Sequence, residues 1–186
     1  SLAAAGCHAA GGGGLRLDGG SSAVNSLFLR NRSAEGGALW LADAGVSYCT
    51  LADNTATVRG GGLFAGAGAE VSATITHFNT APVDPQAAAG DPSAVFAHMG
   101  CPTPLPGAGH VTGDPLFVNR AGGDFRLTWG SPCIDAAPSS GAPAADLDLY
   151  ERPRNGNADG VAVADMGAFE NVAVHYVDAA APAPAR

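Results

Sequence analysis

The chain has 186 residues, 46% of them hydrophobic and only 14% charged, with 27 glycines and 13 prolines. That apolar fraction is enough for a packed core, and glycines recurring at intervals point to a turn-rich repeat rather than a disordered tract. Nine basic residues, all arginine, stand against 17 acidic ones; the net charge of −8 repels phosphate backbones and argues against nucleic acid as a partner.

The first residues, Ser1 to Ala5, lack the basic stretch that opens a signal peptide, so a mid-chain beginning is expected. No apolar run approaches the ~20 residues that cross a bilayer, and no membrane insertion is expected of this segment. Three segments then align: L-R-L-D-G-G from Leu15, L-W-L-A-D-A from Leu39 and L-F-A-G-A-G from Leu63, 24 residues apart (39 − 15 and 63 − 39). A glycine cluster precedes each one, at Gly11 to Gly14, at Gly36-Gly37 and at Gly60 to Gly62. The period is too short for the common helical repeats, and within each unit apolar residues alternate with a period of two, as in strands.

That phase predicts Leu15/Leu17, Leu39/Leu41 and Leu63/Ala65 pointing inward, and likewise Leu27/Leu29, Cys49/Leu51 and Ala73/Ile75. Short strands joined at glycine-permitted corners give a parallel β-helix whose coils stack about 4.8 Å apart. Asn31, Asn54 and Asn79 end the same strand in successive coils and are expected to form an internal ladder. Cys7 lies eight residues before Leu15, as Asn31 lies eight before Leu39, so it occupies the ladder position of a preceding coil, and coils are expected to continue upstream. The second residue of each coil, Arg16, Trp40 and Phe64, should point outward in one row, a candidate surface for glycan or for assembly.

From 81 to 113 the repeat gives way to Pro, Gly and Ala, and an excursion is expected there, with a short helix at Pro92 to His98 and with Val95, Phe96 and Met99 available to cover the aromatic row. Phe117, Phe125, Leu127, Ile134, Met166 and Phe169 are spaced as anchors of short strands that pack on or beside the last coil over 114–178, protecting the open edge of the solenoid. Asp114, Asp135 and Asp165 precede turns and should accept backbone N–H bonds, with Arg126, Arg152 and Arg154 as ion-pair partners. The Ala/Pro-rich stretch 179–186 reads as a flexible tail.

The tetrapeptides G-G-A-L at Gly36 and F-L-R-N at Phe28 resemble the short repeats of polymorphic outer-membrane-type β-helix proteins. The order C-P-T-P-L-P-G-A-G-H-V-T-G-D-P-L-F-V-N from Cys101, G-D-F-R-L-T-W-G-S-P-C-I-D-A-A from Gly123 and D-M-G-A-F-E from Asp165 resembles the C-terminal region of bacterial surface-exported parallel β-helix proteins of the "choice-of-anchor" group. His110 replaces an asparagine usual in that pattern, and Leu149 stands where a glycine usually follows D-x-D, which weakens any carry-over of a metal loop. The resemblance implies an exported protein, extracellular or at the cell surface, without an assigned reaction. The expected fold is all-β: a right-handed parallel β-helix of about three 24-residue coils over 1–80, the excursion over 81–113, and a loop-rich C-terminal cap of the same domain.

Chemistry-bearing residues are sparse. Asp18 and Asp43 share a corner but are two carboxylates where Ca²⁺ takes 6–8 oxygen ligands. Arg30, Asp53 and His77 fall together, expected as a cross-coil ion pair beside a surface histidine. Asp146, Asp148, Asp159, Asp165 and Glu170 miss EF-hand spacing, and His8, His98, His110 and His175 show no zinc spacing, so neither metal nor cofactor is expected. Cys49 is expected in the core; among the other cysteines Cys101 with Cys133 is one of several pairings left open. Two functions follow: a non-enzymatic structural or adhesin-like module, whose partner is an extracellular polysaccharide or other copies of itself, and a fragment of a polysaccharide lyase.

Overall fold

In the computed structural model, which describes residues 3–103 and 105–171, the strands follow one another around a parallel β-solenoid of about four coils, with no helix among the described residues. A partial coil carries β1 (Ala3–Ala5) and β2 (His8–Gly11). The first full coil carries β3 (Leu15–Asp18), β4 (Ser22–Val24), β5 (Leu27–Leu29) and β6 (Arg32–Glu35). The second carries β7 (Leu39–Ala42), β8 (Gly45–Ser47), β9 (Thr50–Ala52) and β10 (Thr55–Arg59). The third carries β11 (Leu63–Ala65), β12 (Glu70–Ser72) and β13 (Ile75–His77), and the fourth β14 (Ala87–Ala89) and β15 (Val95–Ala97). Equivalent strands pair in parallel to form four walls: wall I (β3-β7-β11-β14), wall II (β4-β8-β12-β15), wall III (β1-β5-β9-β13) and wall IV (β2-β6-β10).

The expected count of three coils is one too few. Ala87 pairs with Leu63 and Val95 with Glu70, so most of the stretch expected to leave the stack is its fourth coil, and the expected helix at Pro92 to His98 is strand β15. Phe96 and Met99 point into the solenoid rather than onto the aromatic row, and Val95 stays exposed. The expected tail at 179–186 and His175 lie outside the described residues.

Wall I keeps the 24-residue register through all four coils: Leu15, Leu39, Leu63 and Ala87 form one column and Leu17, Leu41, Ala65 and Ala89 another. The inward phase expected there is what the core contains. Walls II and III do not keep it. The corner after β7 is one residue shorter than the corner after β3, so Leu27 pairs with Thr50 and Phe28 with Leu51. The extra residue of β10 restores the register at Glu35 and Arg59. A shift of one residue exchanges the two faces of a strand. Phe28, Cys49 and Leu51 therefore face the interior, whereas Leu27, Leu29, Ala73 and Ile75, expected inside, face outward.

Those outward side chains are covered by the C-terminal segment. Here β16 (Phe117–Asn119) and β17 (Asp124–Leu127) form an antiparallel hairpin, and the chain from 131 to 171 runs on without regular strands. Phe125, Leu127, Ile134, Met166 and Phe169 are buried against wall III, with Phe117 half-buried between them and Phe78. Full burial of such side chains contributes roughly 1.5–3 kcal/mol each, which makes this strap an integral part of the fold. A position on or beside the last coil was expected; the segment lies along the flank and reaches coils one to three, while Leu105 packs against the inner core.

Two corners of each coil turn on a single residue in the left-handed region. Asn25, Tyr48, Ala73 and His98 lead from wall II to wall III, and Gly6, Arg30, Asp53 and Phe78 from wall III to wall IV. All but Gly6 are non-glycine residues, for which this conformation costs on the order of 1 kcal/mol. At the corner from wall II to wall III the first three coils hold the strain by the same interstrand bond, Asn25 N–H to Ser47 O, Tyr48 N–H to Ser72 O and Ala73 N–H to Ala97 O. Between wall IV and wall I, Gly37 has no room for a side chain: a methyl there would run into the carbonyl oxygen of Gly61 in the next coil.

Candidate functional site

The asparagine ladder runs through the interior. The side-chain oxygen of Asn54 accepts from the backbone and side-chain nitrogens of Asn31 (2.9 and 3.1 Å), and its amide donates to Phe28 O, Ala52 O and Asn79 Oδ1. Below, Cys7 N–H donates to Asn31 Oδ1, which places Cys7 in the ladder register its spacing suggested. Above, where the fourth coil has no asparagine, the Gln86 side chain reaches back to take the next rung, accepting from Asn79.

On wall I, Arg16, Trp40 and Phe64 stand in register, with Ala88 above them. The Arg16 guanidinium lies 3.8 Å from the Trp40 ring centre, and Trp40 stacks on Phe64 at 5.8 Å with an interplanar angle of 23°. Arg59 covers Phe64 at 4.4 Å, and Gly90 sits so close to that ring that an added methyl would overlap it. Phe64 is buried, Trp40 half-buried and Arg16 exposed. The ring faces are taken up by one another, so the row presents edges and a guanidinium to solvent.

The group at the corner between walls III and IV differs from expectation. Asp53 pairs not with Arg30 but with Arg120 from the hairpin turn, whose Nε and Nη2 both donate to Asp53 Oδ1 at 2.8 and 2.5 Å. The same guanidinium lies 3.9 Å from the Phe78 ring centre, a contact that Arg30, two coils below Phe78, does not make. Arg30 is exposed and makes no ion pair among the described residues. His77 is buried beneath, not at the surface; burial lowers its pKa, and Arg120 adds to that while Asp114 opposes it.

The strap holds a buried acidic network. Arg152 and Glu170 form an ion pair at 2.8 Å with both side chains fully inaccessible. Asp165 accepts N–H bonds from Asp135 and Asn171, Asp135 from Gly156 and Asn157, and Asp114 from Leu116, as the turn positions of these residues suggested. The arginine pairings expected with these three aspartates are not formed: Arg126 pairs with Asp124 and Arg152 with Glu170. Burial, reinforced by the neighbouring Glu170, outweighs the two N–H bonds and raises Asp165 to a pKa of about 8 from an ordinary 3.8. Between those values the folded chain holds a proton that the unfolded chain has released, so stability falls as pH rises toward 8. Urea unfolding at about pH 7 and about pH 8 should give a lower midpoint at the higher pH. Asp165→Asn should flatten that slope; an unchanged slope in the variant would place the titrating group elsewhere.

Asp18 lies opposite Ala42 and 3.6 Å from Arg16, and Asp43 occupies a separate exposed corner position. Among the described residues no group of three or more His, Cys, Asp or Glu is placed to hold a metal ion, and no helix is long and apolar enough to cross a membrane. Cys49, Cys101 and Cys133 form no disulfide among the described residues. Cys101 belongs to the inner core and Cys133 to the flank cluster, on opposite faces of wall III, which rules out the disulfide considered between them. Burial pushes the Cys49 and Cys133 thiols up to about 12, so neither is a nucleophile near neutral pH. No family model, no curated protein and no solved structure matches the chain.

Proposed function

We propose that this chain is a non-enzymatic, adhesin-like module of an exported protein, a rigid β-solenoid at the cell surface or outside the cell that engages an extracellular polysaccharide or further copies of itself along its side. The observation that carries this reading is the alignment of outward side chains from coil to coil. Arg16, Trp40 and Phe64 repeat at the strand spacing on one wall, and Arg30, Asp53 and Phe78 repeat along one corner. An extended chain lying along the axis would meet such a row at several rungs, and a row of edges and guanidinium suits a flat protein partner as well. The sequence resemblance to polymorphic outer-membrane-type repeats and to the choice-of-anchor C-terminal region supports an exported location.

The competing reading, a fragment of a polysaccharide lyase, makes a different prediction for one experiment. Incubated with a panel of acidic polysaccharides, with and without Ca²⁺, the protein should be retained by one or more of them in affinity electrophoresis without generating unsaturated products that absorb in the ultraviolet. Reproducible Ca²⁺-dependent turnover, lost in Asp43→Ala, would replace the adhesin reading with the lyase. Association that grows with protein concentration in sedimentation, without retention by any glycan, would assign the surface to self-assembly.

A further inference from the structure

The corner between walls III and IV and the hairpin turn of the strap border an open cleft of about 420 Å³ lined by Arg30, Asp53, Arg120 and Ala121. That volume falls in the range of roughly 300–1,000 Å³ usual for small-ligand sites. Its chemistry is directional. Arg120 is fixed from two sides, by Asp53 and by the face of Phe78, so its remaining donors have a set direction. Both Arg120 bonds go to Asp53 Oδ1, and Oδ2 accepts none among the described residues. Arg30, one coil below Asp53 in the same corner row, brings a second guanidinium with no ion pair among the described residues. The cleft thus offers two cations and one free carboxylate oxygen on a molecule whose net charge is −8.

The geometry points to a binding site for a carboxylated sugar, a uronate residue within an acidic saccharide. Two guanidiniums suit a carboxylate, to which arginine presents paired donors. The free Asp53 oxygen suits a neighbouring hydroxyl, which must donate. A bare inorganic anion would use the first feature and be repelled by the second. This assignment rests on the adhesin-like reading and narrows it to one ligand class and one place. No catalytic role is implied: the two arginines serve to hold the ligand.

The test is calorimetric titration of the full chain with trigalacturonate, with maltotriose as the uncharged counterpart and with sodium sulfate as the bare anion. Trigalacturonate should bind at least tenfold more tightly than either. Arg30→Gln and Asp53→Asn should each weaken it by about tenfold or more, while Arg30→Lys retains part of the affinity. Arg30 is exposed, so Arg30→Gln should unfold at the wild-type temperature and a loss of binding there cannot be ascribed to misfolding. Trigalacturonate binding unchanged in both variants, or sulfate bound as tightly as the saccharide, overturns the site assignment. If the wild type binds no trigalacturonate yet is retained by a neutral polysaccharide in affinity electrophoresis, the uronate inference fails while the adhesin-like reading stands.

Discussion

Asn54→Ala is expected to lower the unfolding free energy by roughly 3–5 kcal/mol, a large share of the 5–15 kcal/mol that holds a typical domain. The side chain accepts from Asn31 and donates to Phe28 O, Ala52 O and Asn79 Oδ1, and both neighbouring asparagines are themselves buried. Truncation takes away the acceptor of the buried Asn31 N–H, at about 1–3 kcal/mol, and the three bonds that the Asn54 amide itself donates, at about 0.5–1.5 kcal/mol each. Thr55→Ala is the matched control. Its hydroxyl contacts Thr80 at 3.0 Å on the exposed side of the same corner, where loss should fall within about 0.5 kcal/mol. Urea denaturation followed by circular dichroism measures both. A loss under about 1 kcal/mol in Asn54→Ala would mean that the ladder is replaceable by water or by relaxation of the coils.

Arg152→Met should cost about 3–5 kcal/mol for a different reason. The guanidinium is the cation in the ion pair with Glu170, donates to Gly167 O, and lies 4.8 Å from the Tyr48 ring centre, so it ties the strap to the second coil. Its removal leaves Glu170 buried without its cation, in a region that also holds the buried side chains of Asp146 and Asp165. Burial already raises the Glu170 pKa and Arg152 is what restrains the rise. In the variant, Glu170 should therefore take up a proton, and the deficit should shrink as the pH is lowered. The double variant Arg152→Met/Glu170→Gln keeps an acceptor for the N–H groups of Arg154 and Asp165 and should recover some of the loss. A deficit that is the same at pH 5 and pH 8 would assign it to packing alone.

Wall I was legible because its leucines hold one register through three coils, and the ladder because an asparagine closes the same strand each time. The fourth coil escaped notice because Ala87-Ala88-Ala89 carries no large apolar residue to mark it, although it pairs with β11 in the same register. The face reversal on wall III escaped for another reason: a short corner after β7 is offset by a long β10, so the leading leucines stay 24 apart while the strands between them slip. Because the strap covers wall III, its two faces are both apolar, and alternation could not say which was inside. At the candidate cleft, Arg30 and Asp53 could be placed on one corner from the repeat, but Arg120, 67 residues beyond Asp53, belongs to no repeat and could not.

The strap also determines how the solenoid would respond to tension. Pulled along its axis, an unbraced stack can open rung by rung, each rupture breaking only the few bonds between two neighbouring strands. Here Asn25 in the first coil bonds Ala145 O, Tyr48 and Thr50 in the second bond Pro138 O and Ala168 N–H, and Ala73 O in the third accepts from Gly167. One continuous segment therefore bridges three rungs, loading them in parallel and in shear, so that separation begins with the strap being stripped from the wall rather than with the opening of a single rung.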